Sequence, residues 1–159
     1  MELIDLIPNS LSFRVITTID ITDEASIPQG FTGRVKFHED GYVAYVAWYT
    51  DGQLNNPGRH HPAYRRFRRD GRLKYEMYYA FGLLHDPSDT EPAVRGYYAD
   101  GKVHYEERYF GGKRQDSKHG TAAIRKWRHD GELRHELRYK AGRRTDLPAT
   151  ASRPTTTDD

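Results

Sequence analysis

Short apolar-polar alternations, broken by glycine, run along most of the chain. In Leu73-Lys74-Tyr75-Glu76-Met77-Tyr78-Tyr79 the side chains change character with a period of two, which predicts a half-buried β-strand. The alternation stops at regular places. Asp-Gly stands at 40–41, 70–71, 100–101 and 130–131, thirty residues apart each time. A second glycine follows each pair, at Gly52, Gly82, Gly112 and Gly142. Tyr49, Tyr79, Tyr109 and Tyr139 form another column, as do Phe37, Phe67, Tyr97 and Trp127, and Val43, Leu73, Val103 and Leu133. So many columns in one phase identify an internal repeat. The copies span 33–62, 63–92, 93–122 and 123–144.

Each copy reads as strand, turn, strand, turn, short strand and loop. Asp-Gly between alternating segments signals a hairpin, because a two-residue type I′ turn needs φ > 0 at both central positions. With such a turn Arg65 faces Glu76, Arg95 faces Glu106, Arg125 faces Glu136, and in the first copy Val35 faces Val46. The charges change together across the copies, which supports the register; a three-residue loop with a bulge would shift it. Opposite charges directly across an antiparallel pair are worth roughly 0.2–1 kcal/mol. Parity then puts Leu73, Tyr75, Met77 and Tyr79 on an apolar, packed face. Arg65, Phe67, Lys74, Glu76 and Tyr78 fall on the other. Residues 1–32, where Phe13, Val15, Thr17, Ile19 and Ile21 alternate with more polar neighbours, are expected to cap one open edge. The tail 145–159 has no period and little to bury, and is expected to be flexible. The fold class expected is all-β: an elongated antiparallel meander of four 30-residue β-hairpin repeats with an N-terminal capping strand region.

The columns of DGRLKYEMYYAFG and DGKVHYEERYFGGK, with Asp-Gly, Glu-x-x-Tyr and then Gly, resemble the MORN-repeat variant of bacterial and phage proteins. The resemblance covers 33–144. It implies hairpin arrays that bind or scaffold without chemistry of their own, some of them antitoxin-like components. MORN repeats are also associated with phospholipids. The period here is thirty, and the usual Tyr-Glu-Gly-Glu-Trp stretch is absent, so lipid binding does not carry over.

Composition narrows the chemistry. With no Cys among 159 residues, disulfides, thiolate metal sites and thiol nucleophiles are excluded. No apolar run approaches the roughly 18 residues of a membrane-spanning helix. The N-terminus lacks the features of a secretory signal, so the expected location is the cytoplasm, or a virion if the protein is phage-encoded. No Ser sits in a Gly-x-Ser-x-Gly elbow and no P-loop is present. The eight His show no metal-ligand spacing. Glu76, Glu106 and Glu136 recur as a column facing arginines, which is architecture rather than a singular acid-base pair. The expectation is a protein without enzymatic activity, cofactor or metal.

Charge is unevenly spread. Residues 1–32 carry one Arg against five acids, residues 33–144 carry 23 Lys and Arg against 15 acids, and residues 145–159 carry one Arg against three acids. Two surfaces stand out. Trp48, Tyr78, Arg108 and Arg138 share a column on the more polar face and are the candidate contacts for a partner protein. This would serve a protein-binding or scaffolding module, inhibitor-like or antitoxin-like, or a phage assembly component. Arg68, Arg69, Arg72 and Lys74 crowd one hairpin, where the third copy has Tyr98, Ala99, Lys102 and His104. The alternative function is therefore a basic anion binder, for nucleic acid or acidic lipid headgroups, through the 65–74 hairpin.

Overall fold

The computed structural model describes residues 16–146, together with the backbone of two short paired strands at Pro8–Asn9 and Ser12–Phe13. Val15, the side chain of Phe13 and most of the expected flexible tail lie outside the described residues. The described residues form β-strands, with one 3₁₀ turn among them at Glu24–Ser26 that Asp23 caps by accepting the Ala25 N–H at 3.0 Å.

Each copy contributes a hairpin of two arms to one ten-stranded sheet. The arms are Gly33–Glu39 with Tyr42–Thr50, Tyr64–Phe67 with Leu73–Met77, Val94–Tyr97 with Val103–Glu107, and Ile124–Trp127 with Leu133–Leu137. All of these pair antiparallel with their neighbours in chain order, giving the expected meander. The edge of the first arm is covered by Thr18–Ile21, which pairs with it in parallel. Ile19 and Ile21 lie opposite Val35 and Phe37 in that pairing, and with Ile27 and Phe31 they pack around the buried Val35, Tyr45 and Ala47. At the end of each second arm a small ribbon turns back, as at Tyr79–Ala80 with Leu83–Leu84. Its tip is the x-Gly pair: Phe81 and Gly82 have φ of 49° and 77°.

The hairpin tips correct the sequence reading. Only Asp40-Gly41 forms the expected turn with both φ positive, at 46° and 81°. In the second copy the Arg68 N–H bonds Arg72 O and the Gly71 N–H bonds Arg68 O, a three-residue loop closed by glycine at φ 80°. Asp70 Oδ1 holds the Arg72 N–H at 3.0 Å, and Asp100 and Asp130 repeat this bond. The longer turn shifts Phe67 opposite Leu73, and a one-residue bulge at Lys74 shifts the register back, so that Arg66 faces Tyr75 and Arg65 faces Glu76. Two irregularities cancel. The predicted pairs Arg65–Glu76, Arg95–Glu106 and Arg125–Glu136 are all present.

The first copy keeps a bulge, at Ala44, but has the shorter turn, so nothing cancels. Val35 faces Ala47 and Lys36 faces Val46, in place of the expected Val35–Val46 pair. Its first arm is displaced by one residue, which in a strand exchanges the faces. Phe37 therefore leaves the column of Phe67, Tyr97 and Trp127. It stacks on Tyr45 at 4.9 Å, and the stack continues through Tyr64 at 5.0 Å and Tyr75 at 6.0 Å. Gly96 extends this aromatic face: an added Cβ would lie 2.0 Å from the Tyr105 ring, so only glycine leaves room for it.

The opposite face is not the bare polar side that parity suggested. Across it runs the row Arg65, Glu76, Arg95, Glu106, Arg125, Glu136, each residue directly opposite the next. Glu106 accepts bonds from Arg95 at 2.9 Å and Arg125 at 2.7 Å, and Glu76 accepts the Tyr97 hydroxyl at 2.6 Å. Glu76 and Glu106 are buried, while Tyr75, Met77 and Tyr79 on the aromatic face are only half-buried. Leu73 joins this ladder face, because the bulge sets it opposite Phe67.

The ladder gives a graded prediction. Glu106→Gln leaves two guanidinium groups facing one another and is expected to lower stability by about 3 kcal/mol, as for a broken buried pair. Glu136→Gln, at the exposed end of the row, is expected to cost less than about 1 kcal/mol. Chemical denaturation of both variants checks the order; equal losses would show that burial does not grade the contribution of the ladder.

Candidate functional site

Where the first two copies meet on the ladder face, two depressions adjoin. One, of about 370 Å³, is lined by Arg34, Val46, Trp48, Pro57, His61, Pro62, Arg65 and Phe67. The other, of about 420 Å³, is lined by Lys36, Tyr42, Val43, Val46, Phe67, Arg69 and Gly71. Val46 and Phe67 belong to both, so the two form one groove across the sheet. The strand Tyr42–Thr50 supplies its floor, with Val43, Val46 and Trp48 on one side of the pleat. The first arm supplies Arg34, whose guanidinium lies 5.5 Å from the Trp48 ring centre, and Lys36. No carboxylate is among the lining residues of either part. A third depression, between Arg72, Leu73, Tyr97, Asp100 and Gly101, repeats the outer half one copy along but contains an acid.

The predicted partner column does not form one surface. Trp48 is half-buried at the groove. Tyr78 and Arg108 are 8% and 3% exposed, which removes them as surface contacts. They hold loops instead. The Tyr78 hydroxyl reaches His60 O at 3.4 Å. Arg108 donates to Asp86 Oδ2 at 2.9 Å, to Asp89 O at 3.3 Å and to Thr90 O at 3.0 Å. Arg138 does the same at the more open end, donating to Gly120 O at 2.8 Å and to Glu136 at 2.7 Å. An Arg on a polar strand face reads as exposed from parity alone; the preceding loop that folds over it is not visible in a period-two pattern.

The predicted anion cluster is largely occupied by the protein itself. Arg68 donates to Tyr97 O at 2.8 Å and Arg72 to Ala99 O at 3.0 Å, so both pin the second tip to the third. Tyr98 and Lys102 make the corresponding contacts to Trp127 O and His129 O. Arg69 pairs with Asp40 at 2.6 Å and lies over the Tyr42 ring. Lys74 is the exposed bulge residue. Three of the four cations are thus tip fasteners between copies. Among the described residues no three of His, Asp and Glu converge as a metal-binding group. The histidines have separate partners: His60 pairs with Glu91 at 2.8 Å, and His85 accepts the Gly111 N–H at 3.1 Å. Glu76 and Glu106 are engaged in the ladder. No helix is long and apolar enough to cross a membrane, among the described residues.

One functional column escaped the sequence reading. Asn56, Asp86 and Asp116 each offer one side-chain oxygen to two backbone N–H groups of the following copy. Asp86 Oδ1 accepts from Ala93 at 2.7 Å and Tyr109 at 2.9 Å. Asn56 serves Ala63 and Tyr79, and Asp116 serves Ala123 and Tyr139, in the same way. The signal was present: these residues are thirty apart, and they change with the clamp column. Asn56 goes with Tyr78, whereas Asp86 and Asp116 go with Arg108 and Arg138. Burial pushes the Asp86 carboxyl up from its ordinary value, against the Tyr109 and Ala93 amides and the Arg108 guanidinium, which pull it down. Burial and a hydrogen bond to Glu76 likewise raise the Tyr97 hydroxyl, and burial with the Glu107 bond pushes Tyr109 up to about 12. Both remain hydrogen-bond donors at neutral pH.

The covariation predicts a thermodynamic cycle. Arg108→Tyr leaves a buried carboxylate without its cation and is expected to cost about 3–5 kcal/mol. Adding Asp86→Asn recreates the Asn56–Tyr78 combination and is expected to recover more than half of that loss. Additive losses in the double variant would show that the two positions are uncoupled. Separately, Arg68→Ala is expected to lower stability by about 1.5–3 kcal/mol through the lost charged bond to the next tip, measured by urea unfolding.

No family model, no curated protein and no solved structure matches this chain.

Proposed function

We propose that the protein is a non-catalytic module that binds another protein through the groove between its first and second copies. The observation that carries the reading is the opening beside Trp48. In the next copies the corresponding positions are filled, by Tyr78 and Arg108 holding their loops and by Glu76 and Glu106 within the ladder. At the first copy an indole, two valines and Phe67 remain as a concave, partly apolar surface with cations around it. A half-buried aromatic next to an apolar floor is the residue type that anchors protein contacts. The resemblance to MORN-repeat variants points the same way, toward scaffolding or an inhibitor-like or antitoxin-like role in the cytoplasm or in an assembling phage particle. The alternative of nucleic acid or lipid headgroup binding through residues 65–74 loses its surplus of charge, since Arg68, Arg69 and Arg72 have partners within the chain.

The test is selection of displayed random peptides on the immobilised full chain, with the Trp48→Ala chain used for counter-selection. Expected are binders that lose at least tenfold in affinity on Trp48→Ala, while the variant melts within a few degrees of the parent. If every enriched binder is indifferent to Trp48→Ala, the groove is not the binding surface.

A further inference from the structure

The charge row that crosses the ladder face has a gap. Within the second and third copies each acid of the row stands between two cations: Glu76 between Arg65 and Arg95, Glu106 between Arg95 and Arg125. One step earlier the same row reads Lys36, Val46, Arg65. Two cations flank a valine. The Lys36 side chain lines the groove and makes no hydrogen bond or ion pair among the described residues; Asp20, opposite it in the register, is paired with His38 at 2.6 Å. Arg65 is 45% exposed and stands 3.5 Å from Glu76, a looser contact than the 2.7 and 2.9 Å bonds at Glu106. Val46 thus leaves the two cations without an acid between them, where Glu106 stands between Arg95 and Arg125. A carboxylate set over Val46 would meet the two cations as Glu106 meets Arg95 and Arg125.

We infer that the groove receives an extended acidic segment of a partner protein, with an Asp or Glu carboxylate taking the position over Val46 and a neighbouring apolar side chain lying against Trp48. The inference rests on the protein-binding reading above and specifies its ligand. Charge complementarity selects the anion: no acid lines the groove, while Lys36 and Arg65 face it. The floor selects the polymer. Val43, Val46, Phe67 and Trp48 offer apolar surface that a peptide with alternating side chains covers and that a uniformly charged nucleic-acid backbone does not. The carboxylate is preferred to a larger anion because the next two rungs of this row hold that group.

The experiment uses the Trp48-dependent displayed peptides, resynthesised and titrated against the full chain. The expected result is that they carry Asp or Glu beside an apolar residue, and that exchanging that acid for its amide weakens binding at least tenfold. Val46→Glu supplies the missing rung from within. It is expected to abolish peptide binding at least tenfold while leaving the melting temperature equal to or above that of the parent. Should Val46→Glu fail to fold, Lys36→Gln serves instead, with an expected loss of about fivefold and no change in melting temperature. Trp48-dependent binders without an acid would overturn the inference and leave the binding function standing. Tight binding of a single-stranded oligonucleotide that Val46→Glu abolishes would overturn it in favour of nucleic acid. Failure to enrich any Trp48-dependent binder would instead count against the binding function on which the inference rests.

Discussion

A side-chain oxygen that accepts two backbone N–H groups from the next copy is the contact on which this architecture depends. Much of the sheet has no second layer behind it, so little apolar area is available to hold one hairpin against the next. Buried amides left without acceptors cost about 1–3 kcal/mol each. At the junctions of the copies the amides of Ala63, Ala93 and Ala123, and of Tyr79, Tyr109 and Tyr139, point into the chain rather than into water. Asn56, Asp86 and Asp116 answer them in pairs. Once these are fixed, the clamp residues, the ladder and the tip contacts fall at the same thirty-residue interval. Stability of this kind comes mainly from neighbour-to-neighbour terms, as in other repeat proteins.

The buried Asp86–Arg108 contact has its value in geometry more than in net energy. Desolvation offsets much of the attraction between such a pair. What the pair secures is the course of the loop between copies, since the same guanidinium also bonds two loop carbonyls.

Much of the fold was legible because a strand writes its two faces into alternate residues and a repeat writes its length into every column. The hairpins, the meander and the Arg–Glu pairs follow from those two signals. The turn chemistry did not. Asp-Gly suits both a two-residue and a three-residue loop, and the bulge that follows has no residue signature: it falls on Ala44, Lys74, His104 and Arg134. The Arg–Glu pairs came out right because the two departures compensate, and the Val35–Val46 pair came out wrong because in the first copy they do not. Burial was the other failure. Alternation tells which residues share a face, but Tyr78 and Arg108 are covered by loops that come from the preceding copy. The candidate site was legible at Trp48 and Arg69; Arg34 and Lys36 reach the groove through the displaced first arm, which alignment of columns by thirty conceals.

That displacement shows what a single residue at a hairpin tip controls. Interior copies combine a long turn with a bulge and present alternating cation and anion to their neighbours. Shortening the turn by one residue turns the first arm over, sending Phe37 and Val35 toward the N-terminal segment and Lys36 toward the groove. Turn length thus separates the capped first copy from the three that follow it. The first and second copies have the same number of residues between these columns, so how the tip closes, and not a deletion, separates a hairpin that continues the array from one that accepts a cap.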